Sequence, residues 1–140
     1  MRLVLDTDSV VAAMRSPAGA SAAIIRAVRR RRATILLSVP LALEYEAVRR
    51  RPEQRSAAGL SETEMDIFLS ALVAMAEPVE THFLWRPQLR DPNDEMVLDA
   101  AVNGRADAIV TFNPRDYGTA PAQFGVEVLL PREAIARIKR

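Results

Sequence analysis

The chain has 140 residues, enough for one domain around a single core and little room for a second. Apolar residues make up 49% and charged residues 26%, ordinary globular usage that excludes a disordered or collagen-like chain. There is no cysteine and one histidine, His82, which excludes disulfide frameworks, thiol nucleophiles and two-histidine metal centres. No apolar run reaches membrane-spanning length and no signal peptide is visible, so the expectation is a cytoplasmic protein with no membrane attachment. The net charge of +1 conceals an asymmetry. Between Ile24 and Arg55 nine arginines face three glutamates for a net +6, whereas from Leu60 to Asp99 the balance is −7. Arginine, whose planar fork suits phosphate, supplies every basic residue except Lys139.

In chain order, Arg2 to Leu5 is a short apolar run ending at Asp6, the pattern of an opening strand with a carboxylate at its carboxyl end. After Pro17, Gly19 and Ser21 comes a helix whose apolar face carries Ile24, Ile25 and Val28. Ala33 to Val39 is apolar and partly β-branched, as a strand covered on both faces should be, and Pro40 stands in the first turn of the next helix. Ser61 to Glu64 forms a capping box ahead of an amphipathic helix from Glu62 to Ala76. Pro78 stops it, and Val79 to His82 reads as a short strand, with His82 a strand-end or surface residue. Trp85 reads as a packing or partner-interface residue. Asp91 caps a helix with Pro92 at its first position and Gly104 as its stop. Ala108 to Thr111 and Val126 to Leu130 read as buried strands, and Pro131 opens a terminal helix. This alternation predicts an α/β fold, a three-layer sandwich around a mainly parallel central sheet.

In an open parallel sheet, ligands bind beyond the carboxyl ends of the strands. Asp6, Thr7 and Asp8 follow the first strand, Asn113 and Asp116 follow the strand ending at Thr111, and the helix opening at Asp91 to Asp94 precedes that strand. Carboxylates gathered there would repel one another and raise their pKa values, which makes a divalent cation their natural partner. A further acid comes from helical spacing. Glu44 lies three residues after Leu41 and four before Val48, on the inward face, while Glu46 is turned roughly 200° away and reads as a solvated acid paired with Arg49 or Arg50.

These segments resemble a known family. Leu3-Val4-Leu5-Asp6-Thr7-Asp8 with Ser9-Val10-Val11, Ser38 followed by Glu44, Asp91-Pro92-Asn93-Asp94, and Ala106-Asp107-Ala108-Ile109-Val110-Thr111-Phe112-Asn113-Pro114-Arg115-Asp116-Tyr117 are similar, in order, to the four acidic motifs of PIN-domain ribonucleases. The similarity is greatest to the VapC-like toxins of toxin–antitoxin pairs and treats residues 1–140 as one PIN-like nuclease domain. It implies an acidic quartet of Asp6, Glu44, Asp94 and Asp116 holding Mg²⁺ or Mn²⁺ and hydrolysing RNA phosphodiesters. Thr7 and Asn113 would be polar accessories, and arginines such as Arg49 and Arg50, or Arg29 to Arg32, would meet phosphates. An antitoxin and a second copy of the chain are the implied protein partners, with the helix from Glu62 to Ala76 as a contributor to the homodimer. Asp8 stands where the family usually has asparagine, and Asn113 and Asp116 both remain candidates for the fourth position. Asp94 is preferred over Asp91 and Asp99 because it shares a helix face with Leu98 and Ala101.

Two rivals come from other classes. A phosphatase of the haloacid dehalogenase type would use Asp6 and Asp8, but it needs a lysine beside the site, and Lys139 lies in the terminal helix. A catalytically degenerate PIN-like fold would bind RNA or a protein partner without cleaving.

Overall fold

The computed structural model describes residues 1–82, 84 and 88–140; Trp85 lies outside them. Among the described residues five strands form one parallel sheet: β1 (Arg2–Leu5), β2 (Thr34–Leu37), β3 (Glu77–Pro78), β4 (Ala108–Val110) and β5 (Glu127–Leu129), in the order β3-β2-β1-β4-β5. Leu3, Val4, Ile35, Leu36, Ile109 and Val110 are fully buried, which is why these strands read as continuous apolar runs rather than alternating ones.

Helices cover both faces. Between β1 and β2 run α1 (Thr7–Arg15) and α2 (Ala20–Arg29), and between β2 and β3 run α3 (Val39–Ala47), α4 (Pro52–Ala58) and α5 (Glu62–Met75). The chain then crosses back through α6 (Pro92–Asn103) to β4, passes the short α7 (Ala120–Gln123) and closes with α8 (Pro131–Ile138). The two crossovers run in opposite directions across the sheet, so the right-handed rule sets α6 on the face away from α1 and α2. The result is the three-layer α/β sandwich. Among the described residues no helix is long and apolar enough to cross a membrane.

Several boundaries differ from the sequence expectation. Helix α1 went unread because Asp6 is at once the end of a strand and the cap of a helix, with no loop between them to mark the change. Strand β2 stops at Leu37 rather than Val39: Ser38 Oγ accepts the Leu41 N–H at 3.3 Å, and Val39 becomes an exposed helix residue. The strand expected at Val79 to His82 lies instead at Glu77–Pro78. Glu77 is held there by the Arg2 guanidinium at 2.5 Å, and Pro78 is tolerated because β3 is an edge strand. The last strand is a residue shorter at each end than expected, Glu127–Leu129. Glu46 is exposed, but Arg49 pairs with Asp66 of α5 at 2.6 Å. Past Ala47 the chain tightens into a 3₁₀ turn, Val48–Arg50, and Arg49 takes its partner from α5 rather than from its own helix.

Candidate active site

Strand order reverses between β1 and β4, the switch point where a parallel sheet opens a crevice at its carboxyl edge. Asp6 leaves β1 at this point. Its extended backbone (φ −66°, ψ 154°) makes it the N-cap of α1, and its Oδ1 accepts the Thr7 N–H at 2.7 Å. Its Oδ2 accepts from Thr111 Oγ1 at 2.9 Å and from Tyr117 Oη at 3.0 Å. Burial raises the Asp6 pKa and Asp8 adds to the rise; the three donors pull it back in part. Tyr117 is itself fully buried, and burial next to Asp6 pushes its phenol far above the ordinary range, so it keeps its proton and remains a hydrogen-bond donor to Asp6.

Asp8 fastens α1 to the end of β4. Its Oδ2 accepts the Phe112 N–H and Asn113 Nδ2, each at 3.1 Å, and Thr111 Oγ1 lies at 3.3 Å. Thr111 has one hydroxyl hydrogen, and its shorter contact is to Asp6. Asn113 is thereby committed to Asp8 through its side chain, while its N–H donates to Thr111 Oγ1 at 3.1 Å.

Asp94 sits half-buried in the first turn of α6, where Asp91 is the cap, accepting the Asn93 N–H at 2.9 Å. The Asp94 carboxyl is pushed up to about 7, first by burial and then by the charges of Asp6, Asp91, Asp116 and Asp8. A cleft of about 650 Å³ opens here, lined by Asp91, Asp94 and Asp116 together with Arg90, Arg115 and Gln88. Its wall is held by Glu95, buried behind Asp94, whose Oε1 accepts the N–H groups of Gln88 and Leu89 at 2.7 Å each.

The structure therefore brings Asp6, Asp94 and Asp116 into one field, with Thr7 and Asn113 at its margin. Glu44 is half-buried on α3, with its Oε1 3.0 Å from Arg51 Nη1. Arg49 is engaged by Asp66, and Arg50 is exposed. Arg29 to Arg32 are exposed beside the start of β2, on the opposite edge of the sheet. Thr111, Tyr117 and Glu95 were not anticipated as site residues. The local signals are that Thr111 directly follows β4 next to the crevice and that Tyr117 follows an expected site acid.

Among the described residues no three acidic or histidine side chains are grouped as a formed metal site. The donor set nevertheless suits a hard divalent cation: it is all oxygen, and the Asp94 carboxyl, raised first by burial and then by the neighbouring aspartates, carries a repulsion that a cation would relieve. A cation bound at this edge would be held by Asp6, Asp94 and Asp116.

No curated protein matches the chain. The PIN domain family model matches residues 2–115, spanning Asp6, Glu44, Asp94 and Asn113 and stopping one residue short of Asp116. PIN domains are generally nucleases and typically use divalent metal ions. With most of its length matched and its aspartates gathered at the switch point of a parallel sheet, the chain belongs to the PIN domain family.

Proposed function

We propose that the protein is a metal-dependent endoribonuclease that hydrolyses RNA phosphodiesters. The observation that carries this reading is the Asp94 carboxyl, pushed up to about 7 by burial and by other aspartates in a cleft that also offers Arg90 and Arg115. Asp6, Asp94 and Asp116 would hold Mg²⁺ or Mn²⁺. When bound, such an ion supplies Lewis acidity toward the phosphoryl group and acidifies water. The chain's own residues do the rest. Tyr117 and Thr111 fix the rotamer of Asp6; Asp8 and Asn113 fix the loop after β4; Arg90 and Arg115 meet the charge of the substrate phosphate.

The order of the four motifs supports a further assignment as the toxin of a toxin–antitoxin pair, with an antitoxin protein as partner and a homodimer as the working form. Ile67 and Val73, exposed on α5, offer apolar surface for such contacts. The engagement of Glu44 by Arg51 favours a second reading, a PIN fold that binds RNA without cleaving it.

One assay separates the two. Single-stranded RNA and DNA of matched sequence are incubated with the protein and Mn²⁺, Mg²⁺ or excess chelator. Cleavage of RNA with either ion and none with chelator is expected. Cleavage that persists in chelator contradicts the metal role, and binding without cleavage under every condition establishes the degenerate reading.

A further inference from the structure

A second recess of about 470 Å³ lies on the same edge of the sheet, with Phe112, just beyond β4, in its lining. Phe112 directly follows Thr111, the donor to Asp6; its N–H is bound to Asp8 and its ring is exposed. Helices α2 and α8 both begin at this recess, with Gly19, Ala20, Leu130 and Pro131 in its lining. Gly19, the N-cap of α2, has no side chain to satisfy the first-turn N–H groups, and the positive end of the helix dipole lies at the recess. Ser21, in that first turn, also lines the recess. It is 5% exposed, and its Oγ has no hydrogen-bond partner, an arrangement that is costly in a buried hydroxyl unless a ligand completes it. Arg15 and Arg132 complete the lining, and neither is in an ion pair among the described residues. Glu133, the nearest acid along α8, is turned back onto the Leu130 N–H at 2.9 Å.

Two unpaired guanidiniums, an uncapped helix start and an orphaned hydroxyl are together the chemistry of a phosphate site. We propose that this recess binds a backbone phosphate of the RNA strand neighbouring the one that is cleaved, with the Phe112 ring as a stacking platform for the adjoining base. This rests on the nuclease reading for its substrate, and it relocates the phosphate contacts from the arginine-rich stretches of the sequence to the edge that carries the acids.

The test is fluorescence anisotropy of a short labelled single-stranded RNA, with excess chelator to prevent cleavage, across a range of salt concentrations. Arg15→Ala/Arg132→Ala removes two exposed side chains and should leave the fold intact. It should weaken binding at least about tenfold and flatten the logarithmic salt slope by about 1.4, at about 0.7 per lost single-strand contact. Arg30→Ala/Arg32→Ala makes the same charge change on the opposite edge and should leave the slope at the wild-type value. Equal losses in the two double variants would reduce the effect to net charge and overturn the proposal, as would a wild-type slope in Arg15→Ala/Arg132→Ala. A parallel cleavage assay with Mn²⁺ keeps the two readings distinct. A wild type that cleaves RNA while the Arg15/Arg132 variant binds normally overturns the recess alone; a wild type that binds through the recess without cleaving overturns the nuclease reading alone.

Discussion

Asp94 is the residue on which the chemistry turns, and its pKa gives a direct test. A carboxyl raised to about 7 in the fold from about 3.9 in the unfolded chain favours the folded state most when protonated. That contribution is fully present below the unfolded pKa and is lost as pH rises through about 7. Metal-free protein should therefore melt at a lower temperature at pH 8 than at pH 5, and Asp94→Asn should remove much of the difference. Thermal denaturation in chelator at the two pH values measures it, and an equal drop in both proteins would contradict the assignment of that titration to Asp94. Tyr117 makes a second test. Removing its hydroxyl in Tyr117→Phe leaves the ring in the core but deprives Asp6 Oδ2 of one of its two donors. Metal affinity and turnover should fall about 10- to 100-fold, as when the outer partner of a ligand is lost, and binding calorimetry with Mn²⁺ checks this apart from activity. Asp6 and Asp94 were legible in the sequence because each stands at a strand end or helix start. Tyr117 and Thr111 were not, since their bonds to Asp6 span 111 and 105 residues and leave no local pattern.

Helix ends carry the next level of information. Gly104 reads from sequence as a helix stop, yet its φ of −88° needs no glycine. The left-handed conformation falls on Arg105 (φ 53°), and the bonds Arg105 N–H to Val102 O and Ala106 N–H to Ala101 O close a Schellman motif around it. Gly104 is required for a different reason: a Cβ there would stand 2.9 Å from Ala100 O, Leu36 Cδ1 and Val79 Cγ2. Helix α2 ends the same way, with Arg31 at φ 61° and bonds from Arg31 N–H to Val28 O and Arg32 N–H to Ala27 O. Arg31→Gly and Arg105→Gly should thus each stabilise the protein by up to about 1 kcal/mol, whereas Gly104→Ala should destabilise it by about 1–3 kcal/mol through overpacking. Urea denaturation distinguishes the signs, and a destabilising Arg105→Gly would count against the strain argument. The capping box at Ser61 and Glu64 was readable because it is a contact between near neighbours. The placement of β3 was not, because it depends on the pairing of Glu77 with Arg2, 75 residues away.

At the scale of the molecule, the parallel sheet sorts the charges that the sequence presents as blocks. The run Arg29 to Arg32 falls on the amino edge, whereas the aspartates collect on the carboxyl edge, so proximity in sequence to other basic residues says little about proximity to the site. Strand and helix alternation was enough to give the sheet and its acidic edge. Helical spacing was enough to turn Glu44 inward relative to Glu46, but it could not show that Arg51 would take up the Glu44 carboxylate. If the resting protein holds Glu44 in this pair, Arg51→Ala should release it and change Mn²⁺ affinity, while Arg50→Ala, at an exposed position, should not; calorimetric titration of both variants checks the difference. The central claim is that the aspartates of the carboxyl edge bind a divalent ion and cut RNA with it. It is tested most directly by measuring Mn²⁺ binding and single-stranded RNA cleavage side by side for wild type, Asp6→Asn and Asp94→Asn. The wild type should bind the ion and cleave, and each variant should lose both with the fold retained; full cleavage by either variant, or tight Mn²⁺ binding that both substitutions leave unchanged, would contradict a metal-dependent site at this edge.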